Sequence, residues 1–243
     1  MSNQPPANYA MQQTWHDLLF MHWPVPPAML NAILPPPLTV DTWQGEAWVA
    51  VVPFGMRGIR FRGLPALPLT STFLELNVRT YVTVGDKPGV WFYSLDASNR
   101  GAVEVARVWY NLPYFNAGMV MSKHAGTIRY AMHRTDRRAN PAVFAGTYAP
   151  TSDVFRSEPG SLEEFLTERY YLYSVDRHGK LYRGRIYHEP WPLQTAEADM
   201  HINSVAASHG IHLPQTAPLL HFAQEISVYA QAIVPVYGRT ISI

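Results

Sequence analysis

The sequence predicts a single, mainly β domain with short flanking helices. Three observations lead there. Proline accounts for 21 of the 243 residues, against about 5% in an average protein, and prolines so frequent break long helices. Charged side chains make up only 15%, where about 25% is usual, so much of the surface is buried in a core or an interface. Stretches rich in valine and aromatic residues recur between clusters of Gly, Pro, Asn and Asp, which is the pattern of strands joined by turns. No repeat, low-complexity linker or composition break divides the chain. Residues 13–243 read as one domain behind an extended or disordered segment, residues 1–12.

Residues 14–21 are apolar and fit a short helix or a strand. Residues 27–34 read as a helix opened by proline in its first turn and stopped by Pro35. Residues 46–54 form a strand, followed by a glycine-, arginine- and proline-rich loop over 55–68. Residues 73–84 alternate best; with a turn over 85–89 and a return strand over 90–95 they make a hairpin. Ser98 caps a helix reaching about Tyr110, with Val103, Ala106 and Trp109 on one stripe. Strands follow at 118–122, 126–133 and 142–148. Ser161 and Glu164 have the spacing of a capping box and open a short helix through Arg169. Residues 170–175 and 180–188 form a second hairpin. Residues 197–207 read as a short helix ended near Gly210, and a last strand region covers 221–236.

Several function classes drop out. A net charge of +1, from 19 basic and 18 acidic side chains, offers no field for nucleic acid. The absence of cysteine removes disulfides, thiolate metal sites and cysteine nucleophiles together. Residues 18–40 contain no Asp, Glu, Lys or Arg, but six prolines among them exclude a lipid-exposed helix. Residues 1–10 lack the pattern of a signal peptide, so a cytoplasmic protein that does not enter membranes is expected. The ten histidines show no ligand spacing, His16 and His22 being six apart and His201, His209 and His212 eight and three apart; no metal site is expected. Glycine-rich phosphate loops and a Gly-x-Ser-x-Gly elbow are missing, so no cofactor is expected either. The three lysines, Lys87, Lys123 and Lys180, sit in turns or at a strand end, where nothing local depresses an amine pKa.

The alternating strand carries the functional signal. Phe73, Glu75, Asn77, Arg79 and Tyr81 share one face, and Leu74, Leu76, Val78, Thr80 and Val82 share the other. If the aliphatic face meets the core, Glu75, Asn77 and Arg79 project together, about 7 Å apart in succession, close enough to bind one small polar ligand. The alternative is a solvated face. Phe73 and Tyr81 on the same side favour enclosure.

Ordered motifs resemble a known family: Phe20-Met21-His22-Trp23-Pro24-Val25-Pro26, Leu34-Pro35-Pro36-Pro37-Leu38, Glu75-Leu76-Asn77-Val78-Arg79-Thr80-Tyr81-Val82, Pro88-Gly89-Val90-Trp91-Phe92, Ser94-Leu95-Asp96-Ala97 and Leu112-Pro113-Tyr114-Phe115. They are similar, over nearly the whole chain after Tyr9, to the YqjF-like family, the domain of unknown function 2071. More distantly, residues 34–41, Glu75 and residues 102–115 resemble acetoacetate decarboxylase. That resemblance implies an antiparallel, cone-like β-barrel with an interior pocket. It also implies a departure. The decarboxylase's Schiff-base lysine and its pKa-lowering neighbour correspond to Tyr114 and Phe115, and its early arginine has no clear counterpart near Thr14 and Trp15. A phenol forms no iminium, so the pocket is expected without lysine-imine chemistry.

Three readings follow. In the first, the barrel binds a small organic carboxylate or carbonyl ligand, with Asn77, Arg79, Arg107, Phe115, Trp23 and His22 as ligand contacts. In the second, Glu75 and Tyr114 act as catalytic acid and base of a non-covalent lyase, hydratase or isomerase. In the third, the low charge marks an oligomeric scaffold without ligand; a homo-oligomer is expected in any case.

Overall fold

The computed structural model describes residues 8–63 and 72–236. The chain enters through β1 (Met11–Val25), so the ambiguous apolar stretch is a strand, antiparallel to a neighbour on each side. Asp17 interrupts it with φ 49°. Its backbone carbonyl accepts from Tyr148 Oη at 2.7 Å, and its carboxylate accepts from Lys123 Nζ at 2.6 Å. The irregularity changes which parity faces which side: Trp15 before it and Phe20 after it join one cluster, whereas Leu19, Met21 and Trp23 join another. Helix α1 (Pro27–Asn31) starts on its proline and is shorter than residues 27–34.

After β2 (Thr39–Val40) comes β3 (Ala47–Phe61). The loop expected from Gly55 is instead strand as far as Phe61, because β1 supplies partners there, with Thr14 opposite Arg57 and Met11 opposite Phe61. Gly55 is needed for that pairing: a Cβ would lie 2.4 Å from the His16 ring. Residues 64–68 of the expected loop lie outside the described residues. β4 (Phe73–Val84) and β5 (Lys87–Ala97) form the hairpin. Its turn is tighter than expected, Gly85-Asp86 alone, with Gly85 at φ 63°.

Helix α2 (Arg100–Tyr110) is capped by Asn99, whose Oδ1 accepts from Ala102 N at 3.0 Å. Ser98, the expected cap, accepts from Leu74 N instead. The buried side chains of α2 are Val103 and Tyr110; Trp109 is exposed and packs against Phe61. β6 (Tyr114–His124), β7 (Thr127–Arg134) and β8 (Val143–Pro150) make a meander where strands were expected. Helix α3 (Leu162–Thr167) has its Ser161 cap, but the Glu164 carboxylate accepts from Gly160 N rather than from Ser161 N. The second hairpin is β9 (Tyr171–Val175) with β10 (Leu181–Tyr187).

The helix expected over 197–207 is not formed: β11 (Leu193–Asn203) occupies it. Ala196, Ala198 and Met200 pack inward and Glu197, Asp199 and His201 outward, an alternation that pairing with β8 enforces over helix-favouring residue types. A 3-10 turn at Ala207–His209 leads to β12 (Leu219–Ala230) and β13 (Val234–Pro235).

Two strands change partners along their length. β5 pairs with β9 at Val90 and Trp91 and with β6 from Leu95 to Ala97. β12 pairs with β11 from His221 to Ala223 and with β10 at Tyr229 and Ala230. The sheet therefore closes twice. β4, β3, β1, β12 and β5 are shared; a nine-strand ring is completed by β6, β7, β8 and β11, and a seven-strand ring by β9 and β10. The barrel is mixed rather than wholly antiparallel, since both extra pairings of β5 are parallel. One of them follows from α2, a helical crossover that returns the chain in the same direction.

The nine-strand ring is filled with hydrocarbon and aromatic side chains, among them Leu19, Val49, Val51, Leu76, Val78, Tyr130, Phe144 and Phe222. β4 sends Leu76 and Val78 there and turns Glu75, Asn77 and Arg79 to the other ring, so both faces are buried and none of the three is solvated.

Candidate functional site

A cavity of about 100 Å³ lies within the seven-strand ring. β4 contributes Glu75, Asn77 and Arg79, β1 contributes Gln13 and Trp15, and β3 contributes Phe54 and Met56. Ala106 and Tyr110 of α2 close it with Tyr114 at the start of β6, while Thr167, Arg169, His188 and Trp191 complete the lining. The wall is largely aromatic: Trp15 stacks on Trp191 at 6.0 Å, and Trp191 meets Phe20 edge-on at 4.9 Å.

Glu75 is 2% exposed. Its Oε2 accepts a 2.7 Å hydrogen bond from Tyr114 Oη, and its Oε1 accepts a long one, 3.4 Å, from Asn77 Nδ2. Burial pushes the carboxyl up to about 7, with the nearby Asp96 charge adding to the rise; the bonds from Tyr114 and Asn77 and the Arg79 charge oppose it. Near neutral pH the group therefore exists in both protonation states. Burial and the Glu75 charge hold the Tyr114 phenol well above its ordinary range, so it is a donor and not a phenolate. The backbone carbonyl of Glu75 is fixed from the other ring by Tyr130 Oη at 2.8 Å.

Two buried arginines face the cavity in different circumstances. Arg169 is occupied, giving Nη1 to Asp41 and Nε to the Phe165 carbonyl, each at 2.6 Å. Arg79 is 8% exposed, and its guanidinium lies 5.2 Å above the Phe20 ring. The Tyr81 hydroxyl is a side-chain partner of the guanidinium, but its Nε has no hydrogen-bond partner and no carboxylate pairs with it among the described residues. Other polar atoms on this wall are likewise unpartnered: Trp15 Nε1, Trp191 Nε1, Asn77 Oδ1 and His188 Nε2. Burial holds His188 below its usual range, and its Nδ1 lies 2.8 Å from the Glu189 carbonyl, which makes Nδ1 the protonated nitrogen and Nε2 an acceptor. Buried polar groups without partners are uncommon, and here five belong to residues that line one cavity.

Of the residues singled out in the sequence, Glu75, Asn77, Arg79 and Tyr114 come together. The other four stand elsewhere. His22 is fully buried behind Phe20, accepting or donating at Nε2 with Tyr81 Oη at 2.7 Å, and burial keeps it neutral. Trp23 packs in the nine-strand ring and donates Nε1 to the Thr216 carbonyl. Arg107 donates to the Tyr114 carbonyl at 2.7 Å. Phe115, next to Tyr114 on an alternating strand, points away from the cavity beneath Arg134, which is paired with Asp96 at 2.6 and 2.8 Å.

Trp15, Tyr110, Arg169, His188 and Trp191 were not singled out. Trp15 precedes the Asp17 irregularity, Tyr110 ends α2, Arg169 follows α3, and His188 and Trp191 lie in the connection between β10 and β11, so no local period marks them. The described residues that line the cavity include no lysine: Lys123 is held by Asp17, Lys87 lies beside Asp86, and Lys180 is exposed before β10. Among the described residues no group of three or more His, Asp or Glu is placed to hold a metal, and no helix is long and apolar enough to cross a membrane.

A family profile, DUF2071, described as an uncharacterized conserved protein, matches residues 12–227. The chain belongs to the DUF2071 family. A relative within the YqjF-like group, the uncharacterized protein YqjF of Bacillus subtilis (strain 168), is 46% identical over 224 residues, covering 92% of this chain and 91% of its own. Among solved structures, an acetoacetate decarboxylase-like enzyme from Sphingomonas wittichii RW1 superposes with a TM-score of 0.65 at 14% identity, covering 98% of this chain and 97% of that one. The enduracididine biosynthesis enzyme MppR, in complex with pyruvate, superposes with a TM-score of 0.63 at 12% identity, covering 96% and 91%. At such identities the likeness establishes the fold: this DUF2071 chain has the acetoacetate decarboxylase-like barrel.

Proposed function

We propose that the protein binds a compact organic carboxylate in the seven-strand ring, with Arg79 as the anion's partner and no lysine imine. Arg79 carries the reading: a guanidinium withdrawn from water and left without a carboxylate of its own is costly unless an anion completes it. Trp15 Nε1 and Trp191 Nε1 add donors on the same wall. The cavity, at about 100 Å³, is smaller than the roughly 150 Å³ that holds benzene, which restricts the ligand to a few carbons. A relative of the same fold binds pyruvate, a molecule of that class.

The test is a thermal-shift series of short carboxylic acids against their neutral amides. An acid at 100 times its Kd adds about 2.7 kcal/mol, or roughly 5–10 °C for a chain this size. The shift is expected for acids alone and lost in Arg79→Gln; equal shifts from the amides would refute the reading.

One observation favours acid–base chemistry on the bound molecule. Glu75 and Tyr114 share a 2.7 Å hydrogen bond on the cavity wall, and the carboxyl sits near 7, where giving and taking a proton are both easy. Deuterium exchange at the carbon beside the bound carboxylate or carbonyl, followed by proton NMR, is expected in the wild type. It disappears in Glu75→Gln.

A further inference from the structure

We infer that the acid bound in this cavity is a hydroxy acid, its carboxylate on Arg79 and its hydroxyl donating to Asn77 Oδ1. The inference rests on the carboxylate reading above and deepens it. Asn77 is 4% exposed, lines the cavity, and leaves its carbonyl oxygen without a donor. Its amide sets Nδ2 toward Glu75 Oε1 at 3.4 Å, the orientation the ionised carboxylate requires, since a flipped amide would then set two oxygens against each other. The cavity therefore asks its ligand both to accept and to donate.

An oxo acid has only acceptors, so it satisfies Arg79 and the tryptophans but leaves Asn77 Oδ1 buried and unpaired. A hydroxy acid fills both roles. An amino acid also donates, but its ammonium would enter a buried cavity beside the Arg79 guanidinium, where like charges repel. Asn77 and Arg79 are successive inward positions of β4, about 7 Å apart along the strand. That spacing is of the order that a three- or four-carbon acid spans.

Isothermal titration with matched pairs decides the matter: lactate against pyruvate, and 3-hydroxybutyrate against acetoacetate, with alanine as the amino analogue. The wild type should bind each hydroxy acid about tenfold tighter than its oxo partner, which is within the cost of leaving a buried acceptor unpaired. In Asn77→Leu that ratio should fall to near one. Asn77→Ala carries the same comparison if leucine prevents folding, and the wild-type ratio alone already gives the sign. Oxo acids binding as tightly as hydroxy acids to the wild type, or alanine binding more tightly than lactate, would overturn the inference while leaving the carboxylate reading intact. Binding of neither acid class would instead overturn the carboxylate reading and this inference with it.

Discussion

Replacing Glu75 by glutamine is expected to stabilise the protein at alkaline pH and to have no such effect in acid. Raising the carboxyl from 4.5 to about 7 is equivalent to about 3 kcal/mol between its two protonation states. Below pH 4.5 the group is protonated in the folded and unfolded chain alike, so the stability linked to its proton is fully present. As the pH rises, the unfolded chain releases the proton first while the folded chain retains it. That stability is lost across the window from 4.5 to about 7, and above it the fold holds a buried carboxylate. Glutamine does not titrate and still accepts from the Tyr114 hydroxyl. Urea unfolding of both proteins from about pH 4 to pH 8 reads the effect as a stability difference that grows in favour of Glu75→Gln by about 3 kcal/mol. A constant offset comes from packing and is of no consequence to the test. A difference that stays flat across the range, or moves the opposite way, refutes the assignment of a raised carboxyl at the cavity.

Asp96 and Arg134 form a two-bonded ion pair whose side chains are both 0% exposed. Arg134→Met leaves Asp96 buried without its partner and should cost about 3–5 kcal/mol, measured by chemical denaturation, whereas Asp96→Asn with Arg134→Met should recover much of it. At the start of α2, Asn99→Ala should cost about 1 kcal/mol through loss of the cap, and Asn99→Asp should keep most of that stability. Equal stability of wild type and Asn99→Ala would disprove the capping role.

Local pattern was enough for much of the architecture. The period of two along β4 determined that Glu75, Asn77 and Arg79 share a face opposite Leu76 and Val78, because adjacent side chains on a strand must point to opposite sides. Gly85 marked the hairpin turn through its positive φ, and the Ser161 and Glu164 spacing marked the start of α3. Where the local signal was weak, neighbours decided. Residues 197–207 carry Ala, Glu and Met, which favour helix, yet β8 offered a row of backbone partners and made β11 a strand. The reach of β3 past Gly55 depended in the same way on β1.

The site divides along the same line. Sequence alone brought Glu75, Asn77 and Arg79 together and named Tyr114 as a partner. It could not say that β4 would be buried on both faces, since that requires β5 and β12 to take different neighbours at their two ends and close two rings. It could not bring Trp15, Arg169, His188 and Trp191 to the same wall, nor send Phe115 and Arg107 away from it. A strand's alternation is fixed by its own backbone, whereas what faces it, and whether water does, is fixed by strands far away in the chain.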